Sequence, residues 1–234
     1  MALQNFDQLN SMSTKWFSKM NVSDAEKKKR VDLSLDYCEI IIMLFMLIEG
    51  NHPRESCVDF LEERLRIIAE NYIGKDDLAY VNDWSRKEAE KVVDDTLKHI
   101  NDEPEYKLIK TDDGGTKSQE KTFDFEEFDI KIPQSEYWTS ELRALLVGIG
   151  CASAIANYHD LWYALERGMT NKVWITEADE KVRKTHQEVD HTDIPINELF
   201  IVGNSYLMFP GDVNYGAEEK EVDGCRCHLE FYKR

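Results

Sequence analysis

The sequence is short of positive charge. Its 29 lysines and arginines stand against 46 aspartates and glutamates, giving a formal net charge of −17 over 234 residues. Such a surface repels a polyanion and argues against general nucleic-acid binding, leaving packaged DNA at most a local partner. The densest basic stretch, Lys27 to Arg30, falls just inside a predicted helix and reads as a solvated face. Long apolar runs are missing as well. The most apolar stretch, Ile40 to Ile48, lies between Glu39 and Glu49 and is about half of the ~20 residues that cross a bilayer. A buried helix and no membrane partner are therefore expected. Cysteine is sparse and scattered, at Cys38, Cys57, Cys151, Cys225 and Cys227. No cationic leader precedes an apolar stretch with a small-residue cleavage site, so a reduced, cytosolic chain is expected. No G-x-S-x-G, P-loop, H-E-x-x-H or G-x-G-x-x-G occurs, so nothing fixes a nucleophile or a phosphate cradle, and a non-enzymatic protein is expected. No internal repeat or low-complexity tract stands out.

What is present is length enough to bury a core without staples and a clear change of texture along the chain. Ser23 with Glu26 three places later has the form of a capping box. It opens a helical stripe through Leu33, Tyr37, Ile41, Leu44 and Ile48 that ends near Gly50. Pro53 stands where a first-turn proline is tolerated, and Cys57, Phe60, Leu61, Leu65 and Ile68 run on to a stop at Gly74. A third helix begins at Ser85 with Glu88, and Val92, Val93, Leu97 and Ile100 line its apolar side. Residues 101–137 break this pattern. Asp112, Asp113, Gly114 and Gly115 form a turn cluster between Tyr106 to Lys110 and Thr122 to Ile132, which predicts a protruding hairpin. The alternative is a disordered acidic loop, because Asp124, Glu126, Glu127 and Asp129 crowd the second arm. Helix returns from Ser140 to Arg167, with Leu142, Leu145, Leu146, Ile149, Ile155, Leu161 and Leu165 as core candidates. Gly148 and Gly150 inside it suggest a close helix contact or a break. After Gly168 a short helix over Glu177 to Glu188, capped by Thr176, is expected among strands at Phe200 to Val202, Tyr206 to Phe209 and Cys227 to Tyr232. The pattern is that of an α+β protein: a mainly helical domain over 1–168 with a hairpin or loop insertion, then a small mixed α/β region over 169–234.

The second region carries the only recognisable motif. Trp174, Thr176, Asp179, Val182, Arg183 and His186 stand in W-I-T-E-A-D-E-K-V-R-K-T-H. Asp190, Pro195 and Phe200 follow, then Pro210, Gly211 and Asp212, and finally Cys225, Arg226 and Cys227 as C-R-C. In order and approximate spacing, over about the last sixty residues, this resembles the phage Mu F-like head morphogenesis family. Two positions depart from that pattern: His191 replaces the usual glycine after the aspartate, and Gly224 replaces the asparagine before C-R-C. The resemblance implies a minor virion protein of the phage head, present in few copies. It would assemble in the host cytoplasm with portal, scaffold or major capsid protein, as a homo-oligomer in the particle or alone, and in some relatives leave with the genome.

Read as chemistry, the same residues allow a short set of sites. On a helix, Asp179, Arg183 and His186 share a face, and Asp179 and Arg183 can pair. Cys225 and Cys227, two apart on a strand or leading into one, put both sulfurs on one side and Arg226 on the other. His186 with the two cysteines could hold a structural zinc, with Asp190, His191 or His228 as fourth ligand. Because the paired C-x-x-C knuckles of strong zinc sites are absent, the plainer alternative leads: His186 hydrogen-bonds in the core while the cysteines pack as small hydrophobes. A Cys225–Cys227 disulfide suits an extended strand poorly. His186, Asp190, His191, Asp193 and His228 would also serve a metal-dependent nuclease or toxin delivered with the genome. Trp162, Tyr163, Trp174 and Phe200 read as core rather than as a ligand cage.

Overall fold

The computed structural model describes residues 6–76, 78–110 and 115–234, the side chain of Glu219 excepted. It is an α+β fold. Four helices come first: α1 (Phe6–Ser18), α2 (Asp24–Glu49), α3 (Arg54–Ile73) and α4 (Ala79–His99). Ser23 caps α2, its hydroxyl accepting the Glu26 N–H at 3.2 Å. Gly74 ends α3 in the left-handed conformation at φ 73°, donating its N–H to Glu70 O at 2.8 Å. α1 escapes the sequence reading, and α4 starts six residues before Ser85. The Ser85 hydroxyl donates to Asn82 O within the helix instead of capping one.

Two hairpins follow rather than one. β1 (Tyr106–Lys110) pairs antiparallel with β2 (Thr116–Glu120), and β3 (Thr122–Phe125) with β4 (Ile130–Pro133). The stretch Thr122 to Ile132, expected as one arm, folds back on itself at Glu126 to Asp129. The Phe128 N–H bonds Phe125 O, and Asp129 takes φ 55°. Asp112, Asp113 and Gly114 of the expected turn lie outside the described residues. The first hairpin stands clear of the core, whereas Phe125, Phe128, Ile130 and Ile132 of the second pack on the helices. The acidic loop is thereby replaced by an anchored turn: Glu127 takes an ion pair from Lys19 at 2.5 Å and another from Lys181. These contacts hold its carboxyl down at about 2, against the opposing effect of burial.

A short α5 (Gln134–Tyr137) leads into α6 (Glu141–Glu166), capped by Ser140. α2 and α6 are each 26 residues long, and both bury many of their residues in the helical core. They come into close contact at Gly148, where a Cβ would lie 2.5 Å from Ser34 O and 2.9 Å from Cys38 N. Gly150 has nothing within 4 Å of the same position. The helix is not broken at either glycine. Arg30 is a correction to the solvated basic stretch, for it is fully buried and ion-paired to Glu26 at 2.9 Å. Ile100, Tyr163 and Leu165, expected in the core, are exposed. Among the described residues no helix is long and apolar enough to cross a membrane.

The C-terminal elements are β5 (Asn171–Ile175), α7 (Lys184–Val189), β6 (Asp193–Pro195), β7 (Phe200–Val202), β8 (Ser205–Leu207), α8 (Glu219–Val222) and β9 (His228–Tyr232). β5 is the middle strand of an antiparallel sheet ordered β6-β5-β9, with Trp174 opposite Leu229 and Ile175 opposite His228. β7 and β8 form a hairpin turning at Gly203, φ 59°. Trp174, Phe200, Val202, Leu207, Phe209 and Leu229 build a second apolar core, which also takes in Leu161 and Ala164 of α6. The packing therefore crosses the boundary drawn near residue 168.

The contrast between the two glycines of α6 is testable. Gly148→Ala should lose about 1–3 kcal/mol through overpacking against the α2 backbone. Gly150→Ala should gain about 0.5–1 kcal/mol from helix propensity. Urea unfolding of both variants measures this, and equal effects would remove the close approach as its cause.

Candidate metal centre

The segment after β5 was expected to be helical and is instead a loop held by its own side chains. Asp190 Oδ1 accepts the Thr176 N–H at 2.8 Å, and Thr176 Oγ1 accepts the Ala178 N–H at 3.3 Å. Asp179 Oδ1 accepts the Lys181 N–H at 3.0 Å, and Ala178 is left-handed at φ 51°. Such short side-chain-to-backbone bonds give the chain an alternative to helical pairing. Helix begins only at Lys184, after Arg183, and His186 is the third residue of α7. Asp179, Arg183 and His186 consequently share no helix face. Asp179 pairs with Arg226 at 2.8 Å, and the Arg183 guanidinium donates to Asp223 O.

His186 is carried into the second core, edge-on to the Trp174 ring with centroids 5.5 Å apart. There its Nδ1 lies 3.4 Å from Cys227 Sγ and 3.6 Å from Cys225 Sγ. The three ligand atoms all fall within 4.8 Å of one another. Both cysteines are reduced, and they precede β9 with Arg226 turned away to Asp179 and over the Trp16 ring at 5.6 Å. Exposure is 1% for His186, 3% for Cys225 and 4% for Cys227, so the cluster is sealed from bulk solvent. Within it the thiols are unequal. The hydrogen bond from Cys227, aided by His186, holds the Cys225 thiol well below its ordinary range against the effect of burial. Donating that bond, together with burial, pushes Cys227 up.

The other imidazole nitrogen, Nε2, faces Glu221 Oε2 at 3.3 Å. The same oxygen accepts the Thr185 hydroxyl at 2.7 Å. Gly203 leaves room for this carboxylate, since a Cβ there would sit 3.1 Å from Glu221 Oε1. Nothing in the sequence around Glu221 distinguishes it from the surrounding acids, so sequence reasoning missed it.

The expected fourth ligands are not brought in. Asp190 is committed to Thr176 N, and the His191 side chain is 77% exposed. His228 is buried beside Glu177, its Nδ1 3.6 Å from Glu177 Oε1. Asp193 is at the sheet edge, bonded to Asn171 Nδ2 at 2.9 Å and paired with Arg234 at 2.7 Å. Among the described residues the cluster is therefore His186, Cys225 and Cys227 alone.

The remaining motif residues shape the seam with α6. Gly211, at φ 89°, is packed so tightly that a Cβ would meet Ala154 at 3.2 Å. Pro210 O accepts from Asn157 Nδ2 at 2.9 Å. Asp212 closes the turn by accepting the Met208 and Asn214 N–H groups at 2.9 and 3.0 Å. Pro195 ends β6, Val182 is half-buried, and Phe200 stacks edge-on to Trp174 at 5.2 Å.

No family model matches the chain, no curated protein matches it, and no solved structure matches it.

Lys172 of β5, another residue the sequence reading passed over, is fully buried. Its Nζ donates to Met208 O at 2.7 Å and lies 5.0 Å from the Phe200 ring centroid. Burial lowers its ammonium to about 8, with Asp212 opposing. In the unfolded chain the ordinary value, near 10.5, returns. Below pH 8 both states are protonated and the folded state carries the full desolvation cost. Between pH 8 and 10.5 the unfolded state binds more protons, so this group makes stability rise with pH. The difference in unfolding free energy between wild type and Lys172→Met should shift in favour of wild type across that window. A flat difference would show that the ammonium is not desolvated.

Proposed function

We propose that the chain is a minor head protein of a tailed bacteriophage, related to the Mu F-like family. It acts in head morphogenesis through contacts with portal, scaffold or major capsid protein. One observation carries the reading: the residues that bear the resemblance meet in space. Trp174, His186, Cys225 and Cys227 close one buried cluster, while Asp190, Gly211 and Asp212 hold the turns around it. Even a departure fits, because His191 takes φ 57°, the left-handed conformation that suits the glycine usual there.

The net charge of −17 favours basic protein surfaces over packaged DNA as the main partner. Host cytoplasm during assembly and the phage head afterwards are the corresponding locations. A metal-dependent nuclease or toxin is the second reading, favoured by the His-Cys-Cys group itself. The sealing of that group weighs against it, since a substrate has to reach a catalytic metal. Here the group suits a structural clamp.

Mass spectrometry of purified particles should find the chain at a few copies per head. Its absence from particles would overturn the assignment and favour a host-directed effector, and nuclease turnover lost in His186→Ala would favour the enzyme.

A further inference from the structure

We infer that His186 Nδ1 and the thiolates of Cys225 and Cys227 bind one zinc ion, and that Glu221 is the outer carboxylate that fixes the imidazole for it. This stands apart from the virion reading and rests on geometry alone. Zinc bound at about 2.3 Å from sulfur and about 2.0 Å from an imidazole nitrogen holds those two atoms about 3.5 Å apart at the tetrahedral angle. The distances here are 3.4 and 3.6 Å, both to the same nitrogen. A core histidine that merely donated one hydrogen bond would need a single acceptor, not two sulfurs converging on its Nδ1.

Glu221 supplies the second, independent observation. Both residues are 2% exposed in their side chains, and Nε2, which makes no hydrogen bond, lies 3.3 Å from Oε2 as a charge contact. A carboxylate on that side favours hydrogen on Nε2. The Nδ1 lone pair is then left pointing at the sulfurs, the arrangement in which ligating histidines are oriented by a carboxylate behind them. The Thr185 hydroxyl holds the carboxylate in turn. This makes Glu221 a positioning residue rather than a fourth ligand, since it lies against the nitrogen that faces away from both sulfurs.

Loading is charge-balanced. The ion takes the neutral imidazole and two thiolates, any proton still held by the sulfurs goes to solvent, and the +2 of zinc is cancelled by two sulfur anions. A sealed, low-dielectric pocket tolerates that neutral complex far better than an isolated ion. Three donors from the chain supply three of the four tetrahedral corners among the described residues. The elements joined are α7, the segment before β9 and, through Glu221, α8. Without the metal these short pieces are held by a small apolar core, and zinc ties together chain positions about forty residues apart.

Purified full-length chain, equilibrated with Zn²⁺ and desalted, should retain about one zinc per molecule. With Co²⁺ it should show the thiolate-to-cobalt charge-transfer band and the intense visible bands of a tetrahedral site. Cys227→Ser should lose the charge-transfer intensity contributed by that sulfur. If that variant fails to fold, Glu221→Gln on the intact donor set carries the test. It should retain the metal stoichiometry and the cobalt spectrum but bind zinc about 10–100-fold more weakly in chelator competition. His191→Ala should match wild type. Wild-type protein that retains no zinc and gives no cobalt charge-transfer band would overturn the site. An unchanged affinity in Glu221→Gln would overturn the role given to Glu221. Neither result bears on whether the chain is found in particles, which is read separately.

Discussion

The buried carboxamide of Asn157 is the point on which the two cores depend. Its Oδ1 accepts from Arg30 Nη2 at 3.2 Å, and its Nδ2 donates to Pro210 O at 2.9 Å and to Cys227 O at 3.1 Å. One side chain on α6 therefore satisfies a buried guanidinium of α2, the turn that packs on Ala154, and the backbone of a cysteine in the candidate site. Each of these groups would be costly to bury unpaired, by about 1–3 kcal/mol for a neutral partner and more for a charged one. The helical layer and the C-terminal unit are thus joined by a polar seam whose members need each other. The close contact at Gly148 sets how near α2 and α6 come, and hence where Arg30 meets Asn157.

Much of the helical layer was legible because its signals are local. Ser23 with Glu26, Gly74 and Ser140 mark real ends, and the apolar stripes between them run at helical spacing. The errors have physical causes. The segment Thr176 to Arg183 is rich in Glu, Ala and Lys, which favour helix intrinsically. It becomes a loop because Thr176, Asp179 and Asp190 spend their oxygens on backbone N–H groups and Asp179 pairs with the distant Arg226. Ser85 and Glu88 mimic a helix start inside a helix that had already begun at Ala79, after an N-cap Leu78 that makes no side-chain cap hydrogen bond. The second hairpin was hidden because its turn, Glu126 to Asp129, lacks glycine and relies on an aspartate in the left-handed region. α1 carries Asn, Ser and Thr, poor helix formers, and it is held by burial of Leu9, Met12 and Phe17.

The candidate site was half legible. His186, Cys225 and Cys227 are uncommon residue types, so their convergence could be proposed from the chain. Which acid would join them could not, because acids are abundant and spacing does not select among them. Asp190 and His191 were plausible by proximity in sequence, yet one is consumed by a turn and the other faces solvent. Glu221 arrives from a four-residue helix with no pattern of its own. Lys172 and Asn157 are buried polar residues in otherwise largely apolar surroundings, and only three-dimensional packing shows what they satisfy.

The first hairpin ends up as an isolated two-stranded ribbon. Among the described residues β1 and β2 pair only with each other, so each strand has one edge outside any sheet, and Leu108 is 77% exposed. Open edges invite a further strand, and lysine is a common guard against that. Lys107, Lys110 and Lys117 are distributed along this ribbon. An added strand would have to accommodate these lysines, so the ribbon discriminates against pairing with copies of itself.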